Sequence, residues 1–368
     1  MKVQTGKRRL SPPYEMLHVY LLAGIVETAD EQSLGPYFIG NWVEGSNSYL
    51  FFSKPSRDMV IDLIDRNPSL ELVEEFQLDY DQWQGGPLGS IEVAGFVIRP
   101  YWHQDDECKA ASDMQEILLD PGVVFGNGLH PTTQDCLRAL RWLMGSKEIT
   151  NVLDLGTGTG ILAIASALMG AKEVLAVDLN PLCVRTAEKN VQLNGVEDTV
   201  RVIGGNAYDF ADVDADLIVA NLDYDVISEL LRKKEFTYKR WYIFSGLMRT
   251  PCAELKSLLK EYGMEVEKQW DHEMTWFTIE NPDEVKVAPV RFNAVPARSV
   301  APRTFNVKSS PSTAPSSAGM TCALPLNTTE LVSMVRTYPG LQYCAKYIPG
   351  PTATYHAPEP ASNIGPLI

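Results

Sequence analysis

Two acidic residues and three alternating glycines are the residues of this chain whose types and spacing point most specifically to chemistry. Residues 152–160 read VLDLGTGTG, and a second apolar run, VLAVD, ends at Asp178, 22 positions after Gly156. Glycines let a ligand approach the backbone closely, and a carboxylate that ends a strand can bind the two hydroxyls of a ribose. The pattern predicts an S-adenosylmethionine site that includes Asp154, Gly156, Gly158 and Asp178.

An NAD site is the main alternative, because both kinds of site form at the carboxyl end of the first strand of a doubly wound sheet. The NAD fingerprint G-x-G-x-x-G/A needs a small sixth residue, and counted from Gly156 that residue is Ile161. Counted from Gly158 it is Ala163, but Asp154 then has no role, since a carboxylate repels phosphates. A tight turn without a ligand is a further alternative, which leaves Asp178 unexplained. The residues favour a methyl donor.

Length and composition limit the class of protein. The chain has 368 residues, 45% of them apolar, which allows two domains with sizeable cores. No apolar run is long enough to cross a bilayer and the first residues lack a secretory signal, so we expect a cytoplasmic protein. The six cysteines lie far apart without metal-ligand spacing, so no metal site is predicted.

The charge is acidic and unevenly distributed. A net charge of −15 argues against direct nucleic-acid binding, although it could steer the chain toward a basic protein. Residues 285–368 hold seven Lys and Arg, two Asp and Glu, and 12 of the 24 prolines. This composition predicts a disordered tail, either an inert extension or a segment that binds a partner.

The amino-terminal residues have the pattern of a small α+β module. Three strands are predicted at Met16–Ala23, Tyr37–Glu44 and Ser48–Phe52. A helix is predicted over Ser56–Arg66, with Ser56 as N-cap and Val60, Ile61 and Ile64 on its apolar face. The cluster DYDQWQGGP at Asp79–Pro87 predicts a hinge-like break. We therefore expect a small domain over residues 1–78 and a linker over residues 79–90.

A second glycine-rich segment precedes a predicted helix. Residues 120–133 read DPGVVFGNGLHPTT, and the helix is predicted over Thr132–Met144. Its amino terminus would present unpaired N–H groups and two hydroxyls toward the cofactor. Alternatively, Thr132 or Thr133 is only an N-cap, and His130 makes a structural hydrogen bond rather than acting as an acid or base.

Beyond residue 160 the predicted helices and strands alternate, which gives a parallel doubly wound sheet. The strand LIVAN ends at Asn221, and the last two strands, Met264–Gln269 and Met274–Ile279, are predicted to form an antiparallel hairpin at the sheet edge. Sites in such sheets lie at the carboxyl ends of the strands, where Asn206 and Asn221 also fall.

Four segments in this order and spacing carry a resemblance to a known family: DPGVVFGNGLHPTT, VLDLGTGTGILAIASALMGAKEVLAVDLNP, NVQLNGV and IVANL. The chain resembles the ribosomal protein L11 methyltransferase family, and weaker matches extend the resemblance over about residues 14 to 280. The resemblance implies a class I methyltransferase fold with a seven-stranded sheet over residues 91–284, behind a ferredoxin-like domain. It implies that the small domain recruits a large-subunit ribosomal protein, whose amino groups are methylated.

The resemblance also implies site residues. Cofactor contacts are implied at Thr133, Gly156, Asp178 and Asn221, with Phe125 and His130 on the loop over the site. Two departures concern the acceptor side. Asn221 is followed here by Leu-Asp-Tyr-Asp-Val-Ile, where the family usually has Ile-Leu-Ala-Gly-Pro-Leu, and Asn127 stands where a threonine is usual.

The chemistry requires mainly that a neutral amine be aligned with the donor methyl group and that water be excluded. We expect Asn221 to accept a hydrogen bond from the amine, Asp223 and Asp225 to attract a protonated lysine, and Tyr224 to pack on its methylene stem. Alternatively, the two acids are an N-cap and a first-turn charge of the next helix. Methylation of a small molecule or another protein, and non-catalytic cofactor binding, are the alternative functions.

Overall fold

The computed structural model describes residues 11–103 and 114–282 of the chain. These residues form a four-stranded, a three-stranded and a seven-stranded sheet with helices packed against them. The tail predicted over residues 285–368 lies outside the described residues.

The amino-terminal sheet has the predicted ferredoxin-like arrangement. Its elements, in chain order, are β1 (Met16–Ala23), α1 (Thr28–Glu31), β2 (Phe38–Glu44), β3 (Asn47–Phe52), α2 (Arg57–Arg66) and β4 (Glu71–Asp79). The strands lie in the order β2-β3-β1-β4, and all neighbours are antiparallel. The order places β4 at one edge of the sheet, where only one neighbour pairs with it.

Two details of this module differ from the sequence-based expectation. The fourth strand was not predicted, because apolar and polar residues alternate only over its residues 75–79 and Leu78 is its only buried residue. Helix α2 buries Val60, as predicted, and also Leu63, which was not predicted; Ile64 packs partly buried against the same core, and Ile61 is half-buried. Ser56 precedes the helix, but its hydroxyl donates to the Lys54 carbonyl at 3.0 Å and does not cap the helix.

Both faces of the small sheet are covered. One face packs on α2, with Tyr20, Leu50 and Phe52 in that cluster. The other face presents apolar side chains to the rest of the chain, namely Leu17, Val19, Leu21, Tyr49 and Phe51. They pack against Trp83, Val123 and Leu182, so the sheet lies between its own helix and the carboxyl-terminal part of the chain.

A short helix and a three-stranded sheet follow. They comprise α3 (Tyr80–Trp83), β5 (Ile91–Val93), β6 (Phe96–Pro100) and β7 (Gln115–Leu119). Strand β6 pairs with β5 antiparallel and with β7 parallel. Apolar residues of this sheet, including Phe96 and Ile117, pack against the helices that cover one face of the large sheet.

The large sheet is the predicted doubly wound, mostly parallel, seven-stranded sheet. Its elements are α4 (Pro131–Ser146), β8 (Asn151–Leu155), α5 (Ile161–Leu168), β9 (Glu173–Asp178), α6 (Pro181–Leu193), β10 (Val200–Gly204), β11 (Leu217–Asn221), α7 (Tyr224–Leu231), β12 (Trp241–Met248), α8 (Arg249–Glu261), β13 (Lys268–His272) and β14 (Trp276–Pro282). The strand order is β10-β9-β8-β11-β12-β14-β13. Short 3-10 helices lie at Ala207–Phe210 and Phe236–Tyr238.

Two core clusters lie on the two faces of this sheet. One contains buried residues of α4 and α5, such as Leu140 and Ile164, and the other contains residues of α7 and α8, such as Ile227 and Leu255. Helices on both faces require strands that are apolar on both sides, which explains continuous runs such as LIVA before Asn221.

The edge hairpin forms as predicted, but its strands lie several residues later than expected. Met264, the first residue of the predicted penultimate strand, is buried in the core cluster with α8 and precedes any strand pairing. Met274, the first residue of the predicted last strand, is in the turn with Glu273, and both residues have positive φ angles. An apolar residue therefore did not mark the start of a strand in either case: Met264 is a core residue before its strand, and Met274 is a turn residue.

Candidate active site

The turn after β8 is fixed by backbone hydrogen bonds to the neighbouring strand. The amides of Gly156 and Thr157 donate to the Val177 carbonyl at 2.8 and 3.0 Å. Gly158 has a φ of +56°, and a Cβ atom there would lie 2.5 Å from the Phe125 carbonyl oxygen. Only glycine combines this conformation with such a close approach of another backbone segment.

Asp178 ends β9 directly beside this turn. Its Oδ2 accepts from the Gly158 amide and its Oδ1 from the Asn180 amide, both at 2.9 Å. Burial raises the pKa of the carboxyl group, and these backbone hydrogen bonds act in the opposite direction. Each carboxylate oxygen keeps a further lone pair, so the carboxylate can accept hydrogen bonds from a diol as well.

Asp154 lies beneath the turn and is almost completely buried, with 1% of its surface exposed. Its Oδ2 accepts a hydrogen bond from the Thr157 hydroxyl at 2.6 Å. Its pKa is raised to about 7, mainly by burial and also by the nearby Asp178 charge, while the hydrogen bond from the Thr157 hydroxyl acts in the opposite direction. Asp154 therefore supports the turn from inside, whereas Asp178 lies at its outer side.

The loop between β7 and α4 packs directly on the glycine turn. The Thr159 amide donates to the Phe125 carbonyl at 3.1 Å, and the Thr159 hydroxyl donates to the Gly126 carbonyl at 2.7 Å. The Phe125 ring is 45% exposed and contacts the His130 ring edge to face, with centroids 5.2 Å apart. The loop thus borders the crevice that doubly wound sheets have at the carboxyl ends of their strands, which we call the cleft.

The start of α4 differs from the prediction. The helix begins at Pro131 rather than Thr132, and its N-cap is His130, whose Nδ1 accepts from the Thr132 amide at 3.4 Å. Neither Thr132 nor Thr133 is therefore the N-cap. Proline is favoured at the first helical position because it has no N–H to leave unpaired. Within the described residues the buried Thr133 hydroxyl has no hydrogen-bond partner.

His130 is held as a neutral side chain. Its Nδ1 lies 2.8 Å from the Thr132 hydroxyl. Its pKa is lowered to about 4, mainly by burial and also by the nearby His272. A histidine with this pKa carries no proton to donate as a cation near neutral pH, so the geometry favours hydrogen bonding over acid catalysis.

Asn221 ends β11 and faces the start of α4. Its Nδ2 donates to the Thr132 hydroxyl at 3.3 Å, which leaves its carbonyl oxygen on the other side of the amide. The next residue, Leu222, covers the glycine turn, since a Cβ atom on Gly156 would lie 2.3 Å from Leu222 Cδ2. Asn221 and the turn therefore border the same cleft.

Asp223 and Tyr224 follow at the start of α7. Asp223 occupies the N-cap position, but its side chain makes no capping hydrogen bond. Burial raises the pKa of its carboxyl group, and Asp225 raises it further. Tyr224 is half-buried against the core cluster that contains α7. Asp223 thus lies at the N-cap position, as the alternative predicted, but its carboxylate accepts no hydrogen bond from the first amides of the helix.

Asn206 lies one strand further from the centre of the sheet. It is exposed, and its Oδ1 accepts from the Tyr208 amide at 3.1 Å, which caps the short 3-10 helix. The preceding Gly205 amide donates to the Asp178 carbonyl at 2.9 Å, so Asn206 lies next to the Asp178 end of the cleft.

Two asparagines, Asn190 in α6 and Asn194 at the C-cap of that helix, hold the loop in place, a role that the sequence analysis did not assign to them. Asn190 is fully buried, accepts from the Asp120 amide, and donates to the carbonyls of Asp120 and Thr159. One helical turn later, Asn194 bonds both backbone groups of Leu118. Their spacing of four residues on the buried side of a helix is the signal that could have identified them.

Neither a metal cluster nor a membrane-spanning helix is present in the described part of the chain. No group of three or more His, Cys, Asp or Glu side chains there is arranged to hold a metal ion. Among residues 11–103 and 114–282, every helix is too short or too polar to span a lipid bilayer.

Comparison with known proteins assigns the family. The model of the ribosomal protein L11 methyltransferase family matches residues 87–283. Ribosomal protein L11 methyltransferase of Anoxybacillus flavithermus is 41% identical over 178 residues, which cover 47% of this chain and 55% of that protein. The protein of the same name from Aquifex aeolicus is 36% identical over 210 residues, covering 57% of this chain and 78% of that protein.

Among solved structures, ribosomal protein L11 methylase from Lactobacillus delbrueckii subsp. bulgaricus is 32% identical, with a TM-score of 0.46. The match covers 52% of this chain and 97% of that one. The chain spans about half the length of several of the curated relatives that it matches. Because the family model covers more than half of its residues, the chain belongs to the ribosomal protein L11 methyltransferase family.

Proposed function

We propose that this chain is an S-adenosylmethionine-dependent methyltransferase that acts on amino groups, a lysine side chain or the N-terminal amine, of a large-subunit ribosomal protein. The observation that carries the proposal is the Asp178 carboxylate, fixed by two backbone amides at the end of β9 and beside the glycine turn. Family membership supports the reaction and the class of substrate.

The residues present fit the proposed donor. Asp178 has lone pairs for the ribose hydroxyls, and Gly156 and Gly158 add no side chain of their own to the turn beside it. The buried Thr133 hydroxyl has no partner among the described residues, so a polar group of the donor can satisfy it. Phe125 supplies an exposed ring above the turn. Asp154 and Asn206 complete the proposed donor residues, one beneath the turn and one beside Asp178.

When bound, the donor supplies an electrophilic methyl group on a sulfonium whose departure needs no acid catalyst. The protein must then position a neutral amine and keep water away from it. In our proposal the Asn221 carbonyl oxygen accepts a hydrogen bond from the amine and directs its lone pair, while the Asn221 amide is held by Thr132. His130 fixes Thr132 and therefore acts through it on the acceptor side.

The acceptor approaches along the acidic start of α7. We propose that Asp223 attracts the protonated amine, that the amine releases its proton to solvent before the methyl transfer, and that Tyr224 packs on its methylene stem. Charge over a larger surface supports a basic partner, because residues 11–78 carry eleven Asp and Glu and three Lys and Arg. In this proposal the small domain, residues 1–78, recruits the ribosomal protein, residues 79–90 link it to the methyltransferase domain of residues 91–284, and the reaction takes place in the cytoplasm.

Incubation of the protein with purified large-subunit ribosomal proteins and donor labelled in its methyl group tests the proposal. We expect label on one of these proteins, acid-stable and located by mass spectrometry on a lysine or the amino terminus. Asp178→Ala is the matched negative control. Donor binding without any labelled ribosomal protein would reject the substrate, and labelling of a small molecule instead would favour the alternative acceptor. A chain that binds no donor would reject the methyltransferase itself.

A further inference from the structure

The turn that joins the small sheet to the rest of the chain is anchored in the core. The Trp83 ring packs on Phe51 of the small sheet, with centroids 5.2 Å apart, and the Tyr80 ring packs on Tyr14 at 5.4 Å. Tyr80 is 1% exposed and the neighbouring Gln84 is 6% exposed. Side chains of this turn therefore have a fixed position relative to the small sheet.

This turn is hydrogen-bonded to the loop over the cleft. The Tyr80 hydroxyl and the Gln84 Nε2 both donate to the Gly122 carbonyl, at 2.9 and 2.8 Å. In the other direction, the Asn127 Nδ2 donates to the backbone carbonyl of Gln84 at 2.9 Å and to its Oε1 at 3.0 Å. We call these four bonds the loop clamp.

The clamped loop holds the glycine turn on its opposite side. Between the two clamped residues lie Phe125 and Gly126, whose carbonyls accept the amide and hydroxyl of Thr159. The amide of Gly158, one residue earlier, donates to Asp178. Ring contacts, hydrogen bonds and neighbouring residues of the chain therefore connect the small sheet through Gln84 and the loop to the proposed donor site.

Asn127 is suited to this role by the two hydrogens of its amide. A threonine at this position would have a single hydroxyl hydrogen and could donate only one hydrogen bond. The Asn127 Oδ1 additionally accepts from the Leu129 amide at 2.9 Å, which fixes the bend that leads to His130.

We propose that Gln84 and Asn127 are positioning residues for the methyl donor: through the loop clamp they hold the carbonyls of Phe125 and Gly126 where these fix the glycine turn. The proposal rests on the function proposed above, because the donor is the ligand of that turn. Weakening the clamp should lower donor affinity while leaving the acceptor-side chemistry intact once donor saturates the protein.

Asn127→Asp is the sharpest test, because it retains the shape and the Oδ1 acceptor but places a second oxygen against the two oxygens of Gln84. We expect the dissociation constant for S-adenosylmethionine, measured by calorimetry, to rise about tenfold. The KM for the donor should rise in parallel, with kcat at saturating donor unchanged within a factor of two. Hydrogen exchange in residues 120–130 should become faster. Asn127→Thr should give a smaller change in the same direction.

Asn67→Asp, which adds the same charge after α2 of the small sheet, is the control and should bind donor like the unmodified chain. The proposal is overturned if Asn127→Asp and Asn127→Thr both bind donor within twofold of the unmodified chain and exchange hydrogen at the same rate in the loop. A fall in kcat with unchanged donor KM also overturns it. If Asn127→Asp is not folded, as judged by the absence of cooperative unfolding, the donor affinity and hydrogen exchange of Asn127→Thr decide the question. An unmodified chain that binds no donor instead rejects the proposed function.

Discussion

The two sides of the cleft differ in how firmly hydrogen bonds fix the carboxylate and amide side chains that would contact a ligand. On the proposed donor side, both oxygens of Asp178 accept backbone amides and Asp154 accepts the Thr157 hydroxyl. On the proposed acceptor side, Asn221 has one contact of 3.3 Å with Thr132, and Asp223 makes no capping bond although it occupies the N-cap position. The first side is preorganised, whereas the second keeps hydrogen-bonding capacity that an incoming amine can use.

The largest effect is expected on the donor side. Asp178→Ala removes the ribose acceptor and the partner of the Gly158 amide. Hydrogen bonds to charged groups contribute about 1.5–3 kcal/mol each, so the loss of two should weaken donor binding at least about 100-fold. Calorimetry with S-adenosylmethionine measures this, with the exposed Asp209→Ala as control. Equal affinities of the two variants would place the donor elsewhere.

Asn221→Ala tests the acceptor side in isolation. We expect kcat to fall about 100-fold, because the amine loses its directing hydrogen bond, while the donor dissociation constant changes less than threefold. Single-turnover methyl transfer and calorimetry on the same preparation separate the two quantities. Asn67→Ala is the control. An unchanged kcat would show that Asn221 does not direct the amine. A loss of donor affinity as large as the loss of kcat would show that Asn221 belongs to the donor side as well.

Asp223→Asn should affect recognition of the acceptor only. Removing one charge near a lysine should raise the KM for the protein substrate about fivefold at pH 8, with kcat and donor affinity retained. The pKa of Asp223 is raised, so the attraction is present above that pKa and is lost as the pH falls through it. The KM values of variant and unmodified chain should therefore converge at low pH. Asp225→Asn, at an exposed position, is expected to change KM less; the opposite ranking would assign the attraction to Asp225.

The smallest effect concerns stability. The folded chain raises the pKa of Asp154 from 3.8 to about 7, so it retains a proton there that the unfolded chain has released. Stability is therefore lost as the pH rises between these values. Asp154→Asn removes this loss of stability. Without donor, the melting temperature of the variant minus that of the unmodified chain should therefore increase by a few degrees from pH 4 to pH 8. The control Asp198→Asn, at an exposed position, should show no change of this difference with pH. A difference for Asp154→Asn that stays constant from pH 4 to pH 8 would contradict the prediction.

The residues of the proposed donor side could be grouped from the sequence more readily than those of the proposed acceptor side, for a physical reason. A glycine turn followed by a strand-ending acid depends on local spacing, so Asp154, Gly156, Gly158 and Asp178 could be grouped from the order of the residues alone. Their role in binding the donor stays a prediction.

Contacts between distant segments left no comparable signal. Gln84 lies 43 positions from its partner Asn127, and nothing in the local sequence indicates that bond. The local sequence pattern also failed to indicate where some helices and strands begin. Met264 was predicted to begin a strand, yet it is a core residue before the strand begins. His130 rather than a threonine caps α4, because Pro131 can begin the helix without an amide hydrogen.

The small sheet cannot be transferred to another protein by itself. Its second face, with Leu17, Val19, Leu21 and Phe51, is covered by residues that come after position 79. A fragment that stopped at β4 would leave this face open to water as a contiguous apolar surface, which promotes self-association. Transplanting the module to another enzyme would therefore also require the helical turn with Trp83 and the apolar surface around Leu182.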